Sequence, residues 1–240
     1  MSMFRNVVFL AALAGLCAGL VMTAMQITTT VPLILEAETF ENSEPAHDHG
    51  AVTTEAAHEH DEEGWAPADG TERTAYTALA NVVTGIGFAL LLVVASEFAG
   101  GIATLRQGLL WGLAGFTAFT LAPGLGLPPE LPAMPAADLM ARQIWWVATV
   151  AATAGGLWLI AFGRATWPAI LGVILLVAPH LIGAPQPESH ESPIPELLHH
   201  QFVVNVTVSN LLFWAVLGGA IALLRSRVMK DVVAPRPHFA

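Results

Sequence analysis

Residues 7–35 read VVFLAALAGLCAGLVMTAMQITTTVPLIL, twenty-nine positions without a charged side chain. A helix needs about 20 apolar residues to cross the hydrocarbon core of a bilayer, and this run exceeds that. It is also longer than the apolar core of a secretory signal and ends without a small-x-small cleavage site, so it reads as a retained first span. Immediately after it the chemistry inverts. Residues 36–72 gather twelve of the nineteen acidic residues and four of the nine histidines, with no Lys or Arg.

The rest of the chain agrees with the opening run. Over 240 residues it is 55% hydrophobic and 12% charged, with a mean hydropathy of +0.62, whereas charged residues make up about a quarter of an ordinary soluble domain. The expected fold is all-α, a polytopic transmembrane helix bundle forming one integral membrane domain over residues 1–240. Six segments have the length and character of spans: Val7–Thr28, Thr74–Ser96, Gln107–Leu127, Gln143–Gly163, Ala165–Ile182 and Gln201–Leu224. The fifth is the least regular, because Pro168 and Pro179 flank it and 163–166 leaves almost no turn before it; without it there are five spans.

Basic residues near span ends stay on the cytoplasmic side. With six spans and a cytoplasmic N-terminus, Arg5, Arg106, Arg164, Arg225, Arg227, Lys230 and Arg236 lie inside, and only Arg73 and Arg142 lie outside. The acids agree, with only Glu97 and Asp231 inside. A five-span chain would send the Arg-rich tail to the other face, so the asymmetry favours six, with both termini cytoplasmic and 36–73 an extracytoplasmic loop. Two further loops then face outward, Pro128–Arg142 and Gly183–His200, each carrying four prolines that hold the backbone extended and stiff.

Glycines punctuate the spans at Gly15 and Gly19, Gly108 and Gly112, Gly155 and Gly156, and Gly218 and Gly219. Small residues let helix backbones approach closely in lipid. The single cysteine, Cys17, sits in an apolar run and permits no disulfide within one chain. Nine basic residues without a cluster give no support for nucleic-acid binding.

The ligating chemistry is outward. His47-Asp48-His49 and His58-Glu59-His60 each put two imidazoles on one side of an extended backbone, with Asp61, Glu62 and Glu63 beside them. Nitrogen and oxygen ligands without thiolate suit Co, Ni, Zn or Cu(II) and do not choose among them. His180, His190, His199 and His200 form a second group at the outer ends of the last two spans; His199 and His200 are adjacent, so on a helix only one can face a shared site. Glu36 and Glu38 follow directly after the first apolar run. Polar residues within the spans, Gln26, Thr28 to Thr30, Asn81, Asn205, Thr207 and Asn210, concentrate toward the same side. The inner halves offer almost no ligating group, so one chain shows an entrance without a complete path, which a homo-oligomer or another subunit would complete. No HExxH, GxSxG, nucleotide fingerprint or intramembrane carboxylate pair occurs, and an enzyme is not expected.

Three stretches resemble the CbtA family of predicted cobalt transporter subunits: MFRNVVFLAALAGLCAGLVMTAMQ (3–26) with VPLILEAE (31–38), LAPGLGLPPELPAMPAADLMARQIWW (121–146), and APHLIGAPQPESHESPIPELLHHQFV (178–203). The resemblance implies a multi-pass protein of the bacterial inner membrane that imports cobalt for cobalamin synthesis with a small single-span, histidine-bearing partner, CbtB. It implies Co²⁺ ahead of Ni²⁺, Zn²⁺ or Cu²⁺ as the ion bound or carried, with no tightly bound cofactor. Glu36, Glu38, Glu130, His180 and Glu188 are the matched positions at the outer site. The expected division of roles is capture by His47, His49, His58 and His60 and reception by Glu36, Glu38 and His180. The alternative is a non-conducting metal-binding or scaffold subunit of another membrane complex.

Overall fold

The computed structural model describes residues 2–41 and 67–228. The described residues are helical, with no strand among them. In chain order the helices are α1 (Ser2–Glu41), α2 (Thr71–Glu97), α3 (Leu105–Phe116), a π-helical turn at Thr117–Leu121, α4 (Ala122–Gly126), α5 (Leu139–Phe162), α6 (Thr166–Ile182) and α7 (Glu196–Val228). Five stretches are long and apolar enough to cross a membrane: α1, α2, the continuous Leu105–Gly126, α5 and α7. The segment with flanking prolines is the sixth apolar helix, α6, of 17 residues.

Two helices outrun their apolar segments. α1 continues to Glu41, although Pro32 lies inside it, so Glu36 and Glu38 stand on its last turns. α7 begins at Glu196, which brings His199 and His200 into its first turns. What supports both extensions is a second, smaller core in which Ala37, Leu131, Ile194, Leu198 and Phe202 are buried together. The stiff loops at 128–138 and 183–195 supply Leu131 and Ile194 to it. Those loops therefore cover a capping layer on the bundle.

The main core lies between α1, α2, α3 and α7. It is built on Leu10, Ala14 and Ala18 of α1, Ala89 and Val93 of α2, and Phe213, Trp214, Leu217 and Ile221 of α7. Phe213 and Trp214 of this core form an aromatic cluster with the partly buried Phe88 and Phe119 packed against it, with Phe119 stacked on Trp214 at 5.6 Å between centroids. α5 and α6 form a hairpin packed on this body through Trp111 against Trp158 and Phe162, and Phe119 against Trp146.

Glycine sets the helix spacing. A Cβ on Gly19 would lie 2.7 Å from Val82 Cα, and one on Gly85 would lie 2.7 Å from the Gly15 carbonyl, so α1 and α2 touch backbone to backbone. Gly156 and Gly172 do the same for α5 and α6. Gly108 and Gly112 of α3 meet Gly218 and the Trp214 carbonyl of α7. Such closeness gains dispersion contacts that lipid cannot outcompete.

Neighbouring helices run antiparallel, which sorts the loops. Gly15 meets Ile86 while Glu38 meets Arg73, and Gly108 meets Gly218 while Gly112 meets Trp214. One end of the bundle thus collects 36–41, 67–73, 127–142 and 180–200. At the opposite end Glu97 pairs with Arg225.

Candidate functional site

Among the described residues, every Asp, Glu and His except Glu97 belongs to the end with the capping layer. Local structure decides which of them stay available. Glu38 is ion-paired to Arg73 at 2.5 Å, and Arg73 also holds Asp69 at 3.0 Å. Glu130 is paired to Arg142 at 2.9 Å. The two arginines that break the charge asymmetry of the sequence are thus both neutralised by carboxylates, one pair clamping α1 to α2 and the other tying loop 128–138 to α5. Glu36, Glu188 and His190 are exposed.

His199 is the most defined of the imidazoles. It is half-buried, and its Nε2 donates to the Pro129 carbonyl at 3.1 Å, whereas the adjacent His200 is exposed. A carbonyl can only accept, so the bond fixes the proton on Nε2 and leaves the lone pair on Nδ1 in the neutral ring. A backbone carbonyl holding one ring N–H while the other nitrogen is free is the arrangement that orients metal-ligating histidines. His180, also half-buried, stands edge to face with Trp145 at 6.1 Å. The Trp145 indole N–H is buried without a partner among the described residues.

Below this layer a polar knot joins the helices inside the apolar zone. The Asn81 amide donates to Thr23 Oγ1 at 3.0 Å and Gln26 Oε1 at 2.6 Å, while Thr23 donates to the Gly19 carbonyl at 2.8 Å. Asn205 of α7 reaches the Thr29 carbonyl at 3.5 Å. The hydroxyls of Thr28, Thr29 and Thr30 turn back onto carbonyls of α1. These groups satisfy one another in lipid, where an unpaired amide is costly.

The described residues bring together no group of three or more His, Cys, Asp or Glu able to hold a metal. His47, His49, His58 and His60 lie outside the described residues. Of the remaining candidates, Glu38 engages Arg73, His180 faces Trp145 and His199 faces Pro129. Sequence reading passed over Trp145, Pro129 and Arg142 as partners of these groups; their common position in the specific stretch 121–146 was the available signal.

The family model described as probable cobalt transporter subunit (CbtA) matches residues 4–226, nearly the whole chain. No curated protein and no solved structure matches it.

Proposed function

The chain belongs to the CbtA family of probable cobalt transporter subunits, and on that premise we propose that it takes up Co²⁺ across the bacterial inner membrane. Capture and reception occur at the capped end, which faces outward. The observation that carries this reading is His199. Its Nε2–H is held by Pro129 and its Nδ1 is left as a ligand, at the end of the bundle that holds the described carboxylates but one. The acidic loop raises the local cation concentration, because a cluster of one sign draws counter-ions, and His47, His49, His58 and His60 capture the ion. Glu36, His180 and His199, which form no joint site among the described residues, each take part in its reception with ligands from the loop or the partner, with His190, His200 and Glu188 at the rim; Glu38 joins them when it exchanges Arg73 for the metal. A small single-span partner or a second copy completes the path through the inner half. The membrane potential supplies the drive, roughly 4.6 kcal/mol per 100 mV for a doubly charged ion.

Orientation is tested by labelling. With Cys17→Ala as background, a cysteine introduced at position 55 is expected to react with an impermeant maleimide from outside intact cells. Reaction only after the cells are opened would reverse the inferred topology.

Uptake of labelled cobalt by the reconstituted chain, with and without the small partner, separates transporter from scaffold. Uptake in either arm supports the proposal; none in both gives the non-conducting scaffold. Deleting residues 45–63 is expected to raise the concentration for half-maximal uptake several-fold, about the loss of one or two charge-assisted ligands, while the maximal rate is retained. A collapse of the maximal rate would place the loop in the conduction path instead.

A further inference from the structure

The end of the bundle away from the capping layer has the opposite electrical character. Among the described residues it carries Arg5, Arg106, Arg164, Arg225 and Arg227 and a single acid, Glu97. Glu97 is taken by Arg225. At the capped end both arginines, Arg73 and Arg142, are ion-paired. Arg5, Arg106, Arg164 and Arg227, by contrast, are exposed and have no carboxylate partner among the described residues. Cations left without a counter-charge at a bilayer surface attract anionic headgroups, by about fivefold for each Lys or Arg.

Two of these four stand beside an apolar corner of definite structure. α3 packs on α7 through Gly108 and Gly112, and α5 packs on α6 through Gly156 and Gly172. At this end the two pairs meet through rings instead of backbone. Trp158 and Phe162, one turn apart on α5, lie 4.6 Å apart between centroids, and Trp111 of α3 stacks on Phe162 at 6.2 Å. Trp158 and Phe162 nevertheless keep 38% and 45% of their surface exposed. Arg164 follows Phe162 by two residues, and Arg106 precedes Trp111 by five, about 7.5 Å along α3. Both arginines therefore lie beyond the rings, toward the same rim of the bundle.

Apolar rings at depth with cations just above them repeat the layering of a phospholipid, with the sign of the headgroup reversed. A guanidinium presents a planar fork of N–H donors that matches phosphate oxygens. A zwitterionic headgroup brings its own cation, which these arginines repel, so the corner selects lipids of net negative charge. The rings and the two charges come from α3, from α5 and from the turn after α5, which makes the corner a place where separate elements converge.

We propose that Trp111, Trp158, Phe162, Arg106 and Arg164 form a site for an anionic phospholipid, its phosphate held by the two guanidiniums and one tail laid along the exposed rings. Because α3 belongs to the main body and α5 to the hairpin, the lipid fastens one to the other. The inference needs the bundle to stand in a bilayer and is independent of the ion it carries.

The full-length chain is reconstituted in phosphatidylcholine vesicles containing increasing fractions of phosphatidylglycerol with brominated tails. Bromine quenches tryptophan only at contact, and Trp158→Phe defines the component from that indole. Half-quenching of this component is expected at a mole fraction at least about tenfold lower than brominated phosphatidylcholine requires, as two arginine contributions together allow. Each of Arg106→Gln and Arg164→Gln should lose about fivefold of this preference, and the double variant should bring the two lipids within about twofold of each other. Both side chains are exposed, so the variants fold. Arg5→Gln, which removes the same charge from the same end on a helix without these rings, should leave the preference within about twofold of wild type.

Equal mole fractions for the two brominated lipids in the wild type overturn the proposal and leave an ordinary belt of interfacial aromatics. An equal loss in Arg5→Gln also overturns it, in favour of diffuse attraction by the whole rim. Relief of the quenching by inorganic phosphate in the buffer would make the arginines an anion site without the lipid. None of these outcomes bears on cobalt transport, since no metal enters the measurement.

Discussion

Gly218→Ala is expected to destabilise the bundle by about 3 kcal/mol, the upper part of the range for overpacking, while Gly219→Ala is neutral or stabilises it by up to about 1 kcal/mol through helix propensity. The two glycines are neighbours on one helix and both lie against α3, Gly218 on its backbone and Gly219 beside the side-chain ends of Leu105 and Leu109. A Cβ on Gly218 would press on the Gly108 carbonyl and lie 3.1 Å from the Gly112 nitrogen, all backbone, whereas one on Gly219 meets nothing nearer than Leu105 Cδ1 at 3.7 Å. Backbone cannot rotate out of the way. Unfolding of the detergent-purified variants in SDS, followed by circular dichroism, measures the difference. Equal behaviour of the two variants would mean that α3 and α7 do not meet at this seam.

Arg225→Ala should cost about 2 kcal/mol, between the near-zero value of exposed pairs and the 3–5 kcal/mol of fully buried ones. The side chains of Arg225 and Glu97 are 14% and 29% exposed. The pair links the end of α2 to the end of α7, and the guanidinium lies over Gly101, whose φ of +81° and missing Cβ both make room for it. Glu97→Ala should cost a similar amount, and the double variant little more than either single one, because both remove one interaction. Additive losses would show that each residue contributes through something other than the pair.

These two sites mark the reach of sequence reading. Hydropathy located the apolar helices because apolar length is a local property. Spacing indicated that glycines set helix contacts, yet could not say which of Gly218 and Gly219, or of Gly155 and Gly156, lies at a seam. That depends on rotation about the axis, which the partner helix decides. The ends of α1 and α7 escaped for a related reason: Glu36–Glu41 and Glu196–His200 are polar, and their helical state is supported by Ala37, Leu198 and the loop residues packed between them.

The candidate site was legible as a collection and illegible as an arrangement. Histidines and acids at one end follow from the order of spans. That Arg73 occupies Glu38, that Arg142 occupies Glu130, and that Pro129 fixes the ring of His199 involve partners 35, 12 and 70 positions apart. The π turn left only an indirect trace, Pro123 within an apolar run. Polar residues Asn81, Asn205, Thr207 and Asn210 were visible in the letters, but only geometry divides them into Asn81 and Asn205, which bond across to α1, and Thr207 and Asn210, which turn back onto carbonyls of α7.

The short α6 bears on the surrounding bilayer. Its 17 residues reach about 25 Å, less than the roughly 30 Å of a typical hydrocarbon layer, while the 40 residues of α1 extend about 60 Å. As a span, α6 would require the lipids beside it to thin, at a fraction of a kcal/mol per Å, while the 24 residues of α5 would not. Acyl-chain length would then be a control on this protein separate from any metal: membranes of short-chain lipids would seat α6 without distortion, and long-chain ones would press it against its neighbours.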